Sequence, residues 1–385
     1  MFKVLATLSC LAACCLTTLA QSGAPAPAPA ATATAAGSPS AAQPDEPAPT
    51  PTPTPVPARS EVFRIQDRNA LIDYKPDVNV IRRMVDALVI NVTGQALVGA
   101  AWGSLVKAND VVGIKVCANG APLFSTHYPV VNAICEGLIQ AGVPAQNIVV
   151  FDREEELLKA AGYRVKGGGY RLMWTEGSYD PAAVVSSPVS GRLIYGDLLF
   201  SGRKPSSFNA EPAAQDKHGP SADGFSNESH ISRILTKVVT KVINVPVMAD
   251  HTGCGLSGAL FNMTIQNVDN WRRLVQPPVR GDPEIPELYA NPQIGGKVVL
   301  NIMDALVAEY AGAPIGDLNY AVQYGTLLAS RDPVAIDSVA LRQIDVWRKQ
   351  AKMDPASKDA RYVETAFRYG LGNADFSRID IREIR

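Results

Sequence analysis

Short apolar runs alternate with segments of helical period from about residue 111 onward. Residues 111–116 (VVGIKV) form an apolar run, which predicts a buried strand. Apolar side chains at helical spacing follow over residues 130–139, after a candidate N-cap at Ser125 or Thr126. Residues 148–151 (IVVF) predict the next strand. Because a crossover helix joins parallel strands, this β-α-β unit predicts a parallel sheet.

The same alternation continues to the end of the chain. A helix is predicted from Ser229 to about residue 238, and a longer one begins with Asp332 as N-cap and Pro333 at the first position. Further strands are predicted at residues 242–247, 298–303, 326–329 and 379–384, and a last helix at 362–369. The fold class is therefore α/β, with a doubly wound, mostly parallel sheet flanked by helices. Residues 166–223, rich in Gly, Pro and Ser, are predicted to be a loop-rich insertion that can cover a site.

The N-terminal segment has the features of an export signal. Lys3 is followed by the uncharged apolar residues 4–19, and Ala20 ends a candidate cleavage site, so residues 1–20 are a predicted signal peptide. The sequence Leu11-Ala12-Ala13-Cys14 also fits a bacterial lipobox, so simple cleavage and lipidation of Cys14 both remain open. Residues 21–58 consist mainly of Pro, Ala and Thr and predict a disordered linker. Residues 59–385 then form a single α/β domain.

Charge and cysteine content narrow the partners and the compartment. The net charge is −1, so the chain has no basic field that would bind nucleic acid. Membrane contact is expected only through a lipid on Cys14. The expected location is periplasmic or envelope-anchored in a bacterium, or secreted. Three of the six cysteines lie outside the signal, an odd number that argues against a full disulfide framework. A Cys117–Cys254 bridge and free thiols both remain open, and no iron–sulfur cluster is expected because no ferredoxin-type cysteine run is present.

Four segments of the chain together resemble one family. They are residues 111–120 (VVGIKVCANG), 242–262 (VINVPVMADHTGCGLSGALFN), 298–316 (VVLNIMDALVAEYAGAPIG) and 325–340 (GTLLASRDPVAIDSVA). This set resembles the domain-of-unknown-function family 362, here without the ferredoxin module that many relatives carry. The resemblance implies an α/β fold and a shared polar site, but no settled reaction. Two lysines of the family pattern are absent, one before His251 and one where Phe261 stands, so a positive pocket is weakened.

Ligands of open parallel sheets bind beyond the carboxyl ends of the strands, so polar residues that follow the predicted strands are the candidate site. Lys115 lies at the end of the first strand and Asn119 follows it, Asp250 and His251 follow the strand at 242–247, and Asp304 follows the next. Lys115, His251 and Asp304 are the candidate catalytic residues, with His251 as acid/base and Asp304 as ligand or orienting group. Asp250, His251 and Asp304 are also a candidate divalent-metal site. The alternative is structural: a surface lysine and a histidine that caps a loop.

The remaining motif residues are candidate ligand-binding residues, namely Asn119, Gly258, Asn262, Asp332 and Asp337. Asp332 also serves as a helix cap in the prediction above. Residues 253–258 (GCGLSG) have the letters of a GxGxxG loop, but no acidic ribose partner follows, which disfavours a nucleotide. His127 is a further candidate near the first strand end, whereas His218 and His230 are predicted to face solvent.

Two hypotheses from different classes follow. The first is an exported α/β protein of enzyme-like design that binds a small-molecule polar ligand at the strand ends. Its cofactor is unknown, a divalent metal being one candidate, and its chemistry would be proton transfer or metal-assisted. The second is a non-catalytic ligand- or metal-binding lipoprotein of the envelope, which the missing lysines favour. The sequence leaves open whether the chain is an enzyme.

Overall fold

The computed structural model describes residues 58–164, 169–185, 202–203, 225–226, 229–275 and 279–385. The predicted signal peptide, Cys14 and all but the last residue of the predicted linker lie outside these ranges, as do most of the predicted insertion and His218.

Sixteen strands are present in the described residues. They are β1 (Ser60–Gln66), β2 (Leu71–Ile72), β3 (Lys75–Pro76), β4 (Val112–Val116), β5 (Ile148–Asp152), β6 (Arg171–Trp174), β7 (Tyr179–Val184), β8 (Gly202–Arg203), β9 (Phe225–Ser226), β10 (His230–Ser232), β11 (Lys241–Val245), β12 (Val247–His251), β13 (Gly255–Leu256), β14 (Val298–Glu309), β15 (Ala321–Ser330) and β16 (Ile379–Ile384).

Nine α-helices are present in the same residues. They are α1 (Val78–Thr93), α2 (Val98–Leu105), α3 (Tyr128–Gln140), α4 (Glu155–Ala160), α5 (Ala259–Thr264), α6 (Arg272–Val275), α7 (Glu284–Tyr289), α8 (Pro333–Gln350) and α9 (Tyr362–Arg368).

One large sheet carries the fold, with the strand order β16-β1-β15-β14-β11-β4-β5-β6. The pairs from β14 through β11, β4 and β5 to β6 are all parallel, whereas β15 is antiparallel to both β14 and β1. This confirms the predicted α/β class with a mostly parallel sheet. The chain runs from β4 outward to β5 and β6, and then returns to the other side of β4 with β11. The strand order therefore reverses between β4 and β11, which is where ligands bind in open α/β sheets.

Each face of the sheet covers a separate hydrophobic core, because successive strand residues point to opposite faces. On β5, Ile148 and Val150 pack with α1 and α3, whereas Val149 and Phe151 pack with α5 and α8. Both layers are fully buried on the central strands. Apolar runs without alternation, as in residues 148–151, are typical of such two-sided burial.

The start of α8 follows the predicted chemistry. Asp332 Oδ1 accepts from Val334 N and Ala335 N at 2.8 and 2.9 Å, and Pro333 occupies the first turn. The start of α3 differs from the prediction. His127 holds the N-cap position without a side-chain cap, because Thr126 turns its hydroxyl toward the neighbouring strand instead.

Several predicted elements have other forms or bounds. The helix predicted after Ser229 is strand β10 followed by a single π turn at Ile234–Val238, because β7 pairs with residues 230–232. The strand predicted at 242–247 is split at Pro246 into β11 and β12. The insertion is not wholly loop, since β6 and β7 lie within it and β6 extends the sheet beside β5. His230 is 5% exposed, so the prediction that it faces solvent is wrong.

Within the described residues, no single helix is long and apolar enough to cross a membrane, although the bent pair α1–α2 meets the length and composition criteria together. Leu88 of α1 and Trp102 of α2 are fully buried in the core on one face of the sheet. Cys117, Cys135 and Cys254 are all buried free thiols. A Cys117–Cys254 bridge is therefore absent, and the free-thiol alternative holds.

Candidate functional site

The loop between β4 and α3 is fastened to the sheet at the point where the strand order reverses. Thr126 Oγ1 donates to the carbonyl of Val245 at 2.7 Å and accepts from Cys117 N at 2.9 Å. Thr126 N donates in turn to the carbonyl of Cys117 at 2.7 Å. Because Val245 ends β11 and Cys117 follows β4, this one side chain ties the two strand ends together. It also fixes the backbone direction of the next residue, His127.

His127 and Asp304 form a buried pair next to this point. The prediction that Asp304 follows its strand is wrong, because β14 continues to Glu309 and contains it. Asp304 Oδ2 lies 2.9 Å from His127 Nδ1 and also accepts from His127 N at 2.7 Å. The other carboxylate oxygen accepts from Leu306 N at 3.0 Å. His127 is 8% exposed and Asp304 is 1% exposed. Since an ionised carboxylate can only accept, Nδ1 carries a proton and Nε2 is the nitrogen that gains or loses one.

The electrostatics of this pair favour the charged ring. Burial lowers the pKa of His127, but the charge of Asp304 and its hydrogen bond outweigh burial, so that the pKa is raised above its ordinary value of 6.5. An imidazolium held in this way can donate a proton from Nε2. A carboxylate that fixes the tautomer and orientation of a histidine is the arrangement used in many general acid–base sites.

Lys115 lies at the centre of a second buried cluster. Its Nζ contacts Asp152 Oδ1 at 2.6 Å, Asn262 Oδ1 at 3.0 Å and the carbonyl of Val116 at 2.7 Å. Asp152 Oδ2 accepts from Ala118 N at 2.6 Å. Lys115 is fully buried, so burial lowers its pKa while Asp152 opposes that effect. All three ammonium hydrogens have acceptors, so the geometry is that of a structural ion pair.

A row of asparagines continues this cluster across the sheet. Asn262 Nδ2 donates to Asn244 Oδ1 at 2.8 Å, and Asn244 Nδ2 donates to Asn301 Oδ1 at 2.9 Å. Asn301 Nδ2 reaches the carbonyl of Ser330 at 3.2 Å. Fully connected buried polar networks rigidify and specify a core. The row therefore aligns α5 with β4, β11, β14 and β15, and it puts Asn262 and Lys115 in one cluster, as the sequence suggested.

Asp250 and His251 occupy the end of β12 but do not face a common centre. His251 Nδ1 accepts from Gly253 N at 3.0 Å and from Cys254 N at 3.1 Å. Burial lowers the pKa of His251 to about 4, so the ring is neutral with its proton on Nε2. This is the loop-capping arrangement, and a ring with Nε2 protonated has no lone pair left for a metal. Asp250 Oδ1 accepts from Ala313 N at 3.1 Å, and Arg348 lies 3.6 Å from Oδ2.

A second acidic group adjoins Asp250. Glu309 Oε1 accepts from Asp317 N at 2.6 Å, and Glu309 pairs in register with the neighbour of Asp250, Ala249. Burial raises the pKa of Asp250 to about 6 and that of Glu309 to about 7, and the charge of Asp250 adds to the latter. These two carboxyls hold the loop between β14 and β15. Within the described residues, no group of three or more His, Cys, Asp or Glu is placed to hold a metal ion.

The other motif residues fasten helices. Asp337 Oδ1 accepts from Ala259 N at 2.5 Å and Oδ2 accepts from Leu260 N at 3.0 Å, which caps α5 from the side of α8. Gly258 is required there, because a Cβ would lie 2.2 Å from Asp337 Oδ1. Asp332 caps α8 and also accepts from Ser60 Oγ at 2.6 Å.

Asn119 lies apart from these helix caps, half-buried in the turn after β4. The chain thus brings Lys115 to Asn262 and places His127 on Asp304, while Asp332 and Asp337 lie in separate capping contacts.

Two residues of the strand-end region, Thr126 and Asn244, were not among the site residues expected from the sequence. Thr126 was a candidate helix cap, and nothing in its neighbourhood predicted a bond to Val245, 119 residues away. Asn244 lies within the apolar run VINVPV, and a polar residue in an otherwise buried strand was a usable signal for a buried network. Its partner could not be read from the sequence.

The described residues also form a groove of about 580 Å³ between α8 and α9, away from the strand ends. Its polar lining includes Arg342, Arg361 and Arg368 together with Asp345 and Glu364. None of the candidate site residues named from the sequence lines this groove.

Comparison with known proteins confirms the resemblance in the second half of the chain. A family model described as a domain of unknown function (DUF362) matches residues 208–342. The match includes three of the four segments from which the resemblance was inferred. A search of curated proteins found no match. Among solved structures, the chain is similar to the crystal structure of a protein from Thermotoga maritima, a structural genomics target, at 11% identity and a TM-score of 0.39. That alignment covers 75% of this chain, which spans 60% of the length of the Thermotoga chain.

Proposed function

We propose that this chain is an α/β protein of enzyme-like design that binds a small polar ligand at the carboxyl ends of β4 and β11 and transfers a proton through His127. One observation carries the proposal: Asp304 Oδ2 holds both the backbone N and Nδ1 of His127, at 2.7 and 2.9 Å, where the strand order of the sheet reverses. One bond holds the backbone and the other holds ring atom Nδ1, which leaves Nε2 as the reactive atom of the ring. Position, tautomer and raised pKa together support the role of a general acid.

The proposal revises the roles expected from sequence. Asp304 keeps the orienting role, because both of its oxygens are engaged by this chain. His127 replaces His251 as the group that moves the proton, since Nδ1 of His251 is occupied by two backbone amides. Lys115 supports the sheet beside the site and does not act as base, because its ammonium is saturated by acceptors.

The test uses purified protein and a panel of small carboxylates, hydroxy acids, amino acids and phosphate esters in D₂O. Proton NMR follows deuterium incorporation or product formation. The substitution His127→Gln should lower any turnover by about 10² or more, the usual contribution of general acid–base catalysis. His230→Gln is the matched control, because His230 also pairs with a carboxylate, with Nδ1 3.0 Å from Asp269 Oδ2, yet lies elsewhere. Equal loss in both variants, or full activity in His127→Gln, would refute the proposal.

The same chain also supports the alternative of a non-catalytic binding module held at the envelope. The strand-end region is tightly packed, with His127 only 8% exposed, which favours a small ligand in either case. Ligand-induced NMR shifts at His127 without turnover of any panel compound would establish the binding module. The proposed location, export by residues 1–20 with or without lipidation of Cys14, is tested by mass spectrometry of the mature N-terminus in the native host.

A further inference from the structure

Arg153 is the first residue after β5, and its guanidinium is buried without a carboxylate partner among the described residues. Its side chain is 6% exposed. Among the described residues, no carboxylate oxygen comes within 4.0 Å of its nitrogens. The adjacent Asp152 is already occupied by Lys115 and Ala118 N. A buried charge normally has a paired counter-charge, because removing it from water is costly.

The bonding capacity of this guanidinium is also largely unused. Nη2 donates to the carbonyl of Ile265 at 3.1 Å, while Nε is buried and has no acceptor in the part of the chain that the structure describes. A guanidinium offers five N–H donors in a rigid planar fork that matches the two oxygens of a carboxylate or phosphate. Nε is therefore an available buried donor on one edge of the fork.

A second guanidinium lies close to Arg153, while the charges of Asp152 and Glu154 act on it in the opposite sense. The Arg153 guanidinium lies 4.0 Å from the centroid of the Trp271 ring, and that of Arg272 lies 4.8 Å from the same ring. Two guanidinium groups on one indole repel each other, and an anion between or beside them would relieve that repulsion. The charge of Arg153 also acts on Tyr179, whose hydroxyl is buried and can supply a further donor.

We infer that Arg153 anchors an oxyanion-binding site at the carboxyl end of β5, with Trp271 and Arg272 beside it, that takes a small carboxylate or phosphate group. The site differs from the His127–Asp304 pair. Arg153 contacts Ile265, which belongs to the core on the α5 face, whereas α3, which His127 caps, packs on the other face. The inference does not depend on the proposed proton transfer.

Isothermal titration calorimetry of the full chain with inorganic phosphate and with malonate, at constant ionic strength, tests the site. The unsubstituted protein should bind at least one of them saturably, and Arg153→Gln should weaken that binding about tenfold or more, the loss expected for charge-assisted hydrogen bonds. Arg342→Gln is the matched control, because Arg342 also lies over an aromatic ring, 4.6 Å from the centroid of Phe376, but is exposed. Preference for malonate or for phosphate identifies the group that the site takes.

The outcomes separate this inference from its rivals. No saturable binding of either anion by the unsubstituted protein overturns it, as does equal affinity in Arg153→Gln. Binding that is lost in His127→Gln and kept in Arg153→Gln would put the anion at the strand-end pair and also overturns it. If Arg153→Gln does not fold, Arg153→Lys is used. It keeps the charge without the fork and should still weaken malonate binding, and unchanged malonate affinity in that variant would refute the site.

Discussion

At Asp337, burial and the capping of α5 have opposite effects on the pKa of one carboxylate, and this competition can be measured. The carboxylate is fully buried and accepts from Ala259 N and Leu260 N at 2.5 and 3.0 Å. Burial raises the pKa of Asp337 from 3.8 to about 7, the two amides act in the opposite direction, and the charge of Asp332 adds to the rise. Replacement by Asn keeps the size of the side chain and removes the titration.

The sign of the effect follows from proton linkage. The unfolded chain releases this proton near pH 4 and the folded protein releases it near pH 7, so the folded state binds more protons in between. The contribution of Asp337 to stability is therefore present below pH 4 and is lost as the pH rises through about 7. At about 1.4 kcal/mol per pKa unit, a rise of three units corresponds to about 4 kcal/mol as an upper bound.

Urea denaturation of the unsubstituted protein and of Asp337→Asn at pH 4.5, 6 and 8 measures this contribution. The free energy of unfolding of the unsubstituted protein minus that of Asp337→Asn should fall by about 2 to 4 kcal/mol from pH 4.5 to pH 8. Asp77→Asn is the control for losing a capping carboxylate, since Asp77 accepts from Asn79 N and Val80 N, both at 2.9 Å, from a more exposed position. A difference that stays constant or rises with pH would show that the helix N-terminus, and not burial, sets this pKa.

Two further predictions concern the buried contacts around the strand ends. Lys115→Met should lower the free energy of unfolding by about 3 to 5 kcal/mol, because Asp152 would be left as an uncompensated buried charge, and adding Asp152→Asn should recover part of the loss in denaturant titrations. Gly258→Ala should lower the melting temperature by several degrees, since its Cβ would lie 2.2 Å from Asp337 Oδ1. Gly103→Ala is the control: its Cβ would meet its nearest atom at 4.0 Å, so the melting temperature should stay unchanged or rise slightly. A fully stable Lys115→Met, or a Gly258→Ala that melts with the unsubstituted protein, would contradict these assignments.

Much of the fold follows from local pattern. The apolar run at residues 148–151 predicted a strand, and Asp332-Pro333 specifies a helix start by hydrogen bonding and by a fixed φ angle. Such signals work because the interacting atoms are within a few residues of each other. The prediction after Ser229 failed because pairing with β7 outweighed a weak helical period.

The candidate site shows the same division. The sequence by itself determined which polar residues belong to the candidate site region, and it named Lys115, Asn262 and Asp304 among them. Only the tertiary structure decided their partners: Asp304 meets His127, 177 residues away, and Lys115 meets Asp152 and Asn262, 37 and 147 residues away. The physical reason is that the direction and protonation of a side chain depend on groups that the strand order brings close to it. Strand order is in turn fixed by the packing of two cores against one sheet, and no local run of residues determines it.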